Sequence, residues 1–345
     1  GALLGGVGRD AMETQDVAVA GQAVKVSESV VSIPTYGPLG HDPWPNVFFK
    51  SQWYAPFYPL HRFIHPAGPR HEQTWVTVTL ENEYLRVVVL PELGGHVWEM
   101  YDKVCKEHLV YNNDVIKPTR IGFRTAWCSM GIEFNFPVAH SLQSVDPLPY
   151  RLERHEDGSA SVLTWHRDRP RRIEMILRLT LRPGRRDLQV RAEMYNPSPV
   201  RRPYDYWTNV AISARPETQY IYPTKWMQAH GGRKIYEWPI VNGEDMRFQT
   251  NYQKTVSFFA WDPEPPFFGC WWSDTDNGLV HVGDPKSSPG KKLFNWGKRA
   301  AAWVTAVTDR SGPYAELQAG RFATQADYQW LQPGQIGRAS CRERV

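Results

Sequence analysis

The segment Ala126-Trp-Cys-Ser-Met-Gly-Ile-Glu-Phe-Asn-Phe-Pro-Val-Ala-His140 sets Glu133, Asn135 and His140 among apolar and aromatic residues. A carboxyl in such surroundings is pushed towards its neutral form, which suits a general acid. The same carboxyl would equally serve as the buried partner of an arginine, with Arg120 and Arg124 close by in the chain, and structural ion pairs perturb acids too. Tyr204-Asp-Tyr-Trp-Thr-Asn-Val210 offers Trp207, either to stack on the apolar face of a sugar or to fill the core. It also offers Asn209, whose amide could hydrogen-bond hydroxyls. In Tyr314-Ala-Glu-Leu-Gln318, strand alternation puts Tyr314, Glu316 and Gln318 on one face, so a carboxylate and an amide stand together. Two acids from distant strands that meet on one sheet are the usual pair for work at a glycosidic bond. Trp127 and His230 complete the residues expected to shape such a pocket.

The elements that must position these groups are strands. In Ile173-Glu-Met-Ile-Leu-Arg-Leu-Thr-Leu181 the odd positions form one apolar face, and Leu188, Val190, Ala192 and Met194 repeat the pattern. Arg182-Pro-Gly-Arg-Arg186 joins them as a hairpin turn. The same period-two signal marks Trp75–Leu80, Tyr84–Leu90, Val97–Tyr101, Ser161–Trp165, Val256–Trp261, Leu279–Val282 and Tyr314–Gln318. Helical periodicity is nearly absent. The chain is therefore expected to be all-β, a large antiparallel sandwich. Residues 24–72 are expected to form an N-terminal wrap and 73–335 the sandwich itself, since 37–69 is dense in Pro, His and aromatics without periodicity.

Composition narrows the partners. Of 345 residues, 40 are Lys or Arg and 36 Asp or Glu, a net charge of +4, which lacks the concentrated basic face of a nucleic-acid binder. No apolar run reaches the ~18 residues of a membrane span. Many of the 15 Trp, 16 Tyr and 14 Phe must lie in core layers, and some are expected to line a concave surface. Residues 1–23 read as a disordered or non-native leader without a secretory signal, so a cytoplasmic location is expected. Residues 336–345, Ile-Gly-Arg-Ala-Ser-Cys-Arg-Glu-Arg-Val, match the translation of a sequencing-adapter oligonucleotide in one frame. They are expected to be an assembly artefact, with the natural chain continuing past Gln335. Cys105, Cys128 and Cys270 then remain, an odd number without a C-x-x-C pair, and are expected to be buried thiols.

Other motifs dissolve on inspection. Asp274-Thr-Asp-Asn-Gly278 begins like a calcium loop, but Pro285 stands where its terminal Glu belongs, and a hairpin turn explains it. Ser288-Pro-Gly-Lys-Lys292 lacks the upstream glycine spacing of a phosphate loop. His61 and His65 are four apart but sit in a Pro-rich stretch where that spacing implies no shared helical face, and no His forms H-E-x-x-H, so neither a metal nor another cofactor is expected.

Several segments together resemble one bacterial family, that of the domain of unknown function 5107, often followed by tetratricopeptide repeats. They are Leu90-Pro-Glu-Leu-Gly-Gly-His-Val97, Gly131-Ile-Glu-Phe-Asn-Phe-Pro137, Tyr195-Asn-Pro-Ser-Pro199, Tyr204-Asp-Tyr-Trp-Thr-Asn209, Ser288-Pro-Gly-Lys-Lys292 and Tyr314-Ala-Glu-Leu-Gln318. That family is similar in turn to the galactose mutarotase-like superfamily, which implies a β-supersandwich with a sugar site on its concave face. In aldose epimerases the segment matching Glu316-Leu-Gln318 carries the general base, which makes Glu316 the implied base here. The general-acid His that would follow the Thr-Asn pair is replaced by Val210. The resemblance also implies a carbohydrate ligand and a following repeat array. Three readings result. The first is a glycoside hydrolase with Glu316 and Glu133 as its acid/base pair. The others are an aldose epimerase with His140 or His230 supplying the missing acid, and a non-catalytic glycan-binding module.

Overall fold

The computed structural model describes residues 22–37, 41–42, 60–61, 69–118, 127–137, 140, 144–169, 171–232 and 234–345. Period-two sequence has become strand throughout. Eleven strands lie side by side in the larger, twelve-stranded sheet. Their spatial order is Lys25–Tyr36, Arg70–Glu81, Leu85–Leu90, His96–Asp102, Ile132–Asn135, Trp207–Ser213, Tyr314–Gly320, Gly290–Asn295, Val256–Trp261, Trp226–Ala229 and Ile235–Glu237. The smaller, eight-stranded sheet runs Thr218–Ile221, Phe267–Trp272, Asn277–Gly283, Ile336–Arg344, Asp187–Tyr195, Ile173–Leu181, Ala160–Asp168 and Tyr150–Arg154. The ladders of both sheets are antiparallel, as the alternating pattern predicts. Among the described residues there is a single α-helix, Ala301–Val307, and no helix long and apolar enough to cross a membrane.

The sheets share one apolar core. Val87, Val97, Ile132, Phe134, Val210, Leu293 and Leu317 from the larger sheet join Leu177, Leu179, Val190, Phe268 and Leu279 from the smaller one. Each such side chain contributes roughly 1.5–3 kcal/mol by leaving water. Because alternate side chains on a strand point to opposite faces, burying Ile132, Val210, Leu293 and Leu317 turns Glu133, Asn209, Lys292, Glu316 and Gln318 to the other face of the larger sheet. Core packing thus decides where the chemistry-bearing groups stand. The expected hairpin pairs Leu177 with Ala192 and Leu179 with Val190, and its Gly184 takes the positive φ that the turn requires (68°).

Two expectations change, and one segment finds its place. Residues 24–72 are not simply a wrap: Lys25–Tyr36 pairs along its whole length with Arg70–Glu81, from Lys25 opposite Glu81 to Tyr36 opposite Arg70. This strand lies at the edge of the sheet and is largely exposed, so few of its positions had to be apolar. The segments 43–59 and 62–68 lie outside the described residues, as does the leader to residue 21. Residues 336–344, set apart in the sequence, form a strand paired with Asp187–Tyr195 on one side and Asn277–Gly283 on the other, with Ala339 and Cys341 turned into the core. Lastly, Cys128 and Cys270 are buried free thiols, but Cys105 is exposed in the turn after Asp102.

Candidate active site on the outer face of the larger sheet

The register of neighbouring strands draws one row across the sheet. Glu133 stands opposite Asn209, Asn209 opposite Gln318, Gln318 opposite Lys292, Lys292 opposite Phe259 and Phe259 opposite Gln228. One row further along, Glu316 lies between Ala211 and Phe294. On the other side, Trp207 lies between Asn135 and Gly320.

Glu133 is the more heavily engaged of the site's two acids. Its Oε2 accepts from His140 Nδ1 at 2.7 Å and from the Asn209 amide at 3.3 Å, and its Oε1 accepts from Ser144 Oγ at 2.5 Å. Burial alone would raise this carboxyl. The charge and hydrogen bond of His140, with help from His96 and Ser144, outweigh burial and hold it below its ordinary value. His140 is the mirror case: burial disfavours its charge, but Glu133, and more weakly Glu316, raise its pKa. Its ring packs edge-on against Trp127, with centroids 5.5 Å apart. Arg120 and Arg124, the alternative partners for Glu133, lie outside the described residues.

Glu316 behaves in the opposite way. It is buried, and desolvation raises its carboxyl more than the charges of His140 and Lys292 lower it. Its Oε2 accepts from the Gln318 amide, and Gln318 Oε1 accepts in turn from Lys292 Nζ at 3.1 Å and from Gln325 Nε2 at 3.0 Å. Lys292 Nζ also donates to Gln325 Oε1 at 2.8 Å, and burial lowers this ammonium to about 8 against the pull of Glu316.

Aromatic side chains close the site on two sides. Tyr314 lies 6.2 Å from Trp127 and 6.1 Å from Trp296, and Trp303 of the short helix stacks on Trp296. Trp207, one of the groups expected to stack on a sugar, is only 1% exposed. Its ring covers two glycines: a Cβ on Gly320 would sit 2.3 Å from it, and one on Gly290 2.7 Å. It is a floor for the neighbouring rows rather than an open stacking surface, and it meets Phe259 edge-on at 5.8 Å. Asn135 is buried beside it in register. His230 is at the far end of the face, with Nδ1 3.0 Å from Ser257 Oγ and its ring 5.3 Å from Phe259. Desolvation and the Lys292 charge lower it to about 4, so it is neutral. Of the expected residues, then, Glu133, His140, Asn209, Gln318, Glu316 and Trp127 come together, while His230 stands beyond Lys292.

Three further groups belong here. Val97 stands opposite Ile132, which brings His96 beside Glu133. The buried His96 ring is bonded through Nδ1 to Leu93 O at 2.7 Å, and burial lowers its pKa. Ser144 and Lys292 are the others. His96 follows two glycines in sequence and Lys292 is in the Gly290-Lys-Lys-Leu-Phe294 alternation; that parity was the signal available for Lys292. His281, Cys341 and Glu343 form a triplet whose ligand atoms lie within 4.8 Å of one another, but on the smaller sheet and with two members in the 336–345 segment.

A face with one acid locked to a histidine, one acid raised by burial and one buried ammonium can give and take protons from a polar ligand. The comparisons agree with the architecture. At a TM-score of 0.83 and 24% identity, the chain matches a TPR-domain containing protein from Parabacteroides distasonis over 94% of its own length and 55% of that protein's. It thus spans about half of that relative. Galactose mutarotase-like proteins from Clostridium acetobutylicum and Lactobacillus casei superpose with TM-scores of 0.59 and 0.54 at 11% and 10% identity. These cover 79% and 78% of this chain and 96% and 99% of theirs, a likeness of fold. Residues 52–342 match the family model described as a domain of unknown function, DUF5107. The chain belongs to the DUF5107 family, carried on a galactose mutarotase-like β fold.

Proposed function

We propose that this face binds a carbohydrate and exchanges its anomers by acid–base catalysis, in the manner of an aldose epimerase. The observation that carries the reading is the division of labour between the acids. Glu133 is occupied by His140, Ser144 and Asn209, whereas Glu316, within electrostatic reach of His140, has its amide partner on one oxygen only. In the reaction, ionised Glu316 removes the proton of the anomeric hydroxyl while the His140 imidazolium protonates the ring oxygen. The bond between the anomeric carbon and the ring oxygen breaks, leaving the open-chain aldehyde. Rotation about the first carbon–carbon bond and reversal of both proton transfers close the other anomer. A raised carboxyl pKa makes Glu316 a stronger base near neutrality, and Glu133 keeps His140 charged. His140 takes the place of the acid whose expected position is Val210.

The hydrolase reading has its own support, since Glu316 is shifted up and Glu133 down, as an acid and its ionised partner should be. Against it, the oxygens of Glu133 already accept three hydrogen bonds, which leaves it poorly placed to activate water or attack a sugar carbon. Proton NMR at the anomeric carbon, with aldoses and aryl glycosides side by side, separates the readings. Accelerated anomer exchange without release of reducing sugar supports the epimerase. Release of reducing sugar replaces it with the hydrolase, and binding without either reaction leaves a glycan-binding module.

A further inference from the structure

Lys292 is an unusual cation. The residue is 4% exposed, at the centre of the row that joins Glu133 to Gln228. An ammonium carries three N–H donors; two of these reach Gln318 Oε1 and Gln325 Oε1, both neutral amide oxygens. No acidic side chain among the described residues forms an ion pair with it. The rings of Phe259 and Phe294 flank it at 5.5 and 5.9 Å. Taking an ammonium out of water without a counter-charge is costly, and proteins normally repay it with a carboxylate.

The surrounding charges leave room for one. Glu133 and His140 neutralise each other as a pair. Glu316 acts on Lys292 by charge but is linked to it by hydrogen bonds only through the Gln318 amide. His230 is neutral. Ionised Glu316 balances Lys292 in charge from behind the Gln318 amide, but among the described residues no carboxylate touches the ammonium itself.

We propose that Lys292 receives a carboxylate of the ligand through its third N–H, so that the sugar this site takes is an acid of the hexuronate class. The inference rests on the carbohydrate reading above and adds the ligand's charge to it. Lys292 and Glu316 are diagonal neighbours on adjacent strands, with Cβ atoms on the order of 7 Å apart. That separation is comparable to the width of one sugar ring, so a single ring can present its anomeric hydroxyl to Glu316 and its carboxylate to Lys292. A single remaining N–H matches a monoanion better than a phosphate, which is usually met by several donors or a forked guanidinium.

The test is calorimetry on the whole chain with glucuronate, galacturonate, their neutral parents glucose and galactose, and glucose 6-phosphate. Wild type is compared with Lys292→Met and with the charge-preserving Lys292→Arg, and circular dichroism checks that each is folded. The expected result is uronate binding about tenfold tighter than the neutral parent. The preference falls to within about twofold in Lys292→Met and survives in Lys292→Arg. In the wild type, needing no variant, the preference also fades as pH rises through about 8 and Lys292 loses its proton. Glu316, His140 and His230 face the same ammonium, and the Met variant isolates its contribution from theirs. Equal binding of neutral sugars and uronates overturns the proposal while leaving the carbohydrate reading intact, as does a preference that persists in Lys292→Met. Tightest binding of glucose 6-phosphate replaces the carboxylate with a phosphate. Binding of no sugar at all overturns both.

Discussion

His140 Nδ1 and Glu133 Oε2 meet at 2.7 Å, and each holds the other in its charged form against the burial that would discharge it. Neither group has that charge secured without the other. The pair spans only seven residues of sequence, but it stands because Ile132 and Phe134 anchor the strand from the core side.

Replacing Glu133 with Gln should therefore act mainly through His140. The raised imidazole pKa falls, so the imidazolium is lost at lower pH and the alkaline limb of the pH–rate profile moves down. Stability follows the same pair. In the wild type its contribution is full between the ordinary values of 4.5 for the carboxyl and 6.5 for the imidazole. It disappears as pH rises through the raised pKa of folded His140, or falls through the lowered one of folded Glu133. Breaking a buried pair from one side costs about 3–5 kcal/mol. Urea melts at several pH values, with NMR titration of the histidines, check both effects.

Glu316→Gln should cost about 10²–10⁴-fold in anomer exchange while the protein stays folded. The buried carboxyl is disfavoured by desolvation, so a neutral amide of the same shape should shift stability by no more than about 1 kcal/mol. A severe loss of stability alongside the loss of rate would mean that the residue is structural.

Gly320→Ala tests the floor of the site. The added methyl would lie 2.3 Å from the Trp207 ring, so the ring and the strand beneath must part. Overpacking of this kind costs about 1–3 kcal/mol. Thermal unfolding should show the loss, and Trp207 fluorescence should shift as the ring moves.

Asp205 gives the opposite sign. Burial raises its carboxyl well above 3.8, although it accepts a hydrogen bond from the backbone N–H of Tyr206. A raised carboxyl costs stability as pH climbs from the unfolded value through the folded one, because the unfolded chain ionises first. Asp205→Asn should flatten that decline and be at least as stable as wild type at neutral pH. A variant that melts earlier at pH 7 would show that the charge is needed.

Much of this site was legible because parity is legible. Glu316 and Gln318 share a face by alternation alone, and they do so in the structure. Lys292 was legible by the same rule, but its pattern sits beside a Pro-Gly turn and looked like a failed phosphate loop. What one strand cannot carry is register with another. Nothing local to Glu133 says that Asn209 will stand opposite it or that Lys292 will lie two strands beyond. Trp207 shows the other gap: whether its ring meets a ligand or the backbone depends on Gly290 and Gly320, far along the chain. The edge strand Lys25–Tyr36 escaped for a simpler reason, since an exposed strand needs few apolar residues to announce it.

The strand Tyr314–Gly320 enters the larger sheet between Trp207–Ser213 and Gly290–Asn295, so the centre of the row is supplied by the strand of that row latest in the chain. Glu133 must wait for Asn209, 76 residues later, and both must wait for Gln318. Such long loop closures are slow to form. A nascent chain can lay down most of its core, yet it lacks Glu316 and the lysine's two amide partners until residues 316–325 have emerged. The proton-transfer machinery is thus acquired late and in one step, and a chain halted short of this strand would have much of the fold's apolar surface without its chemistry.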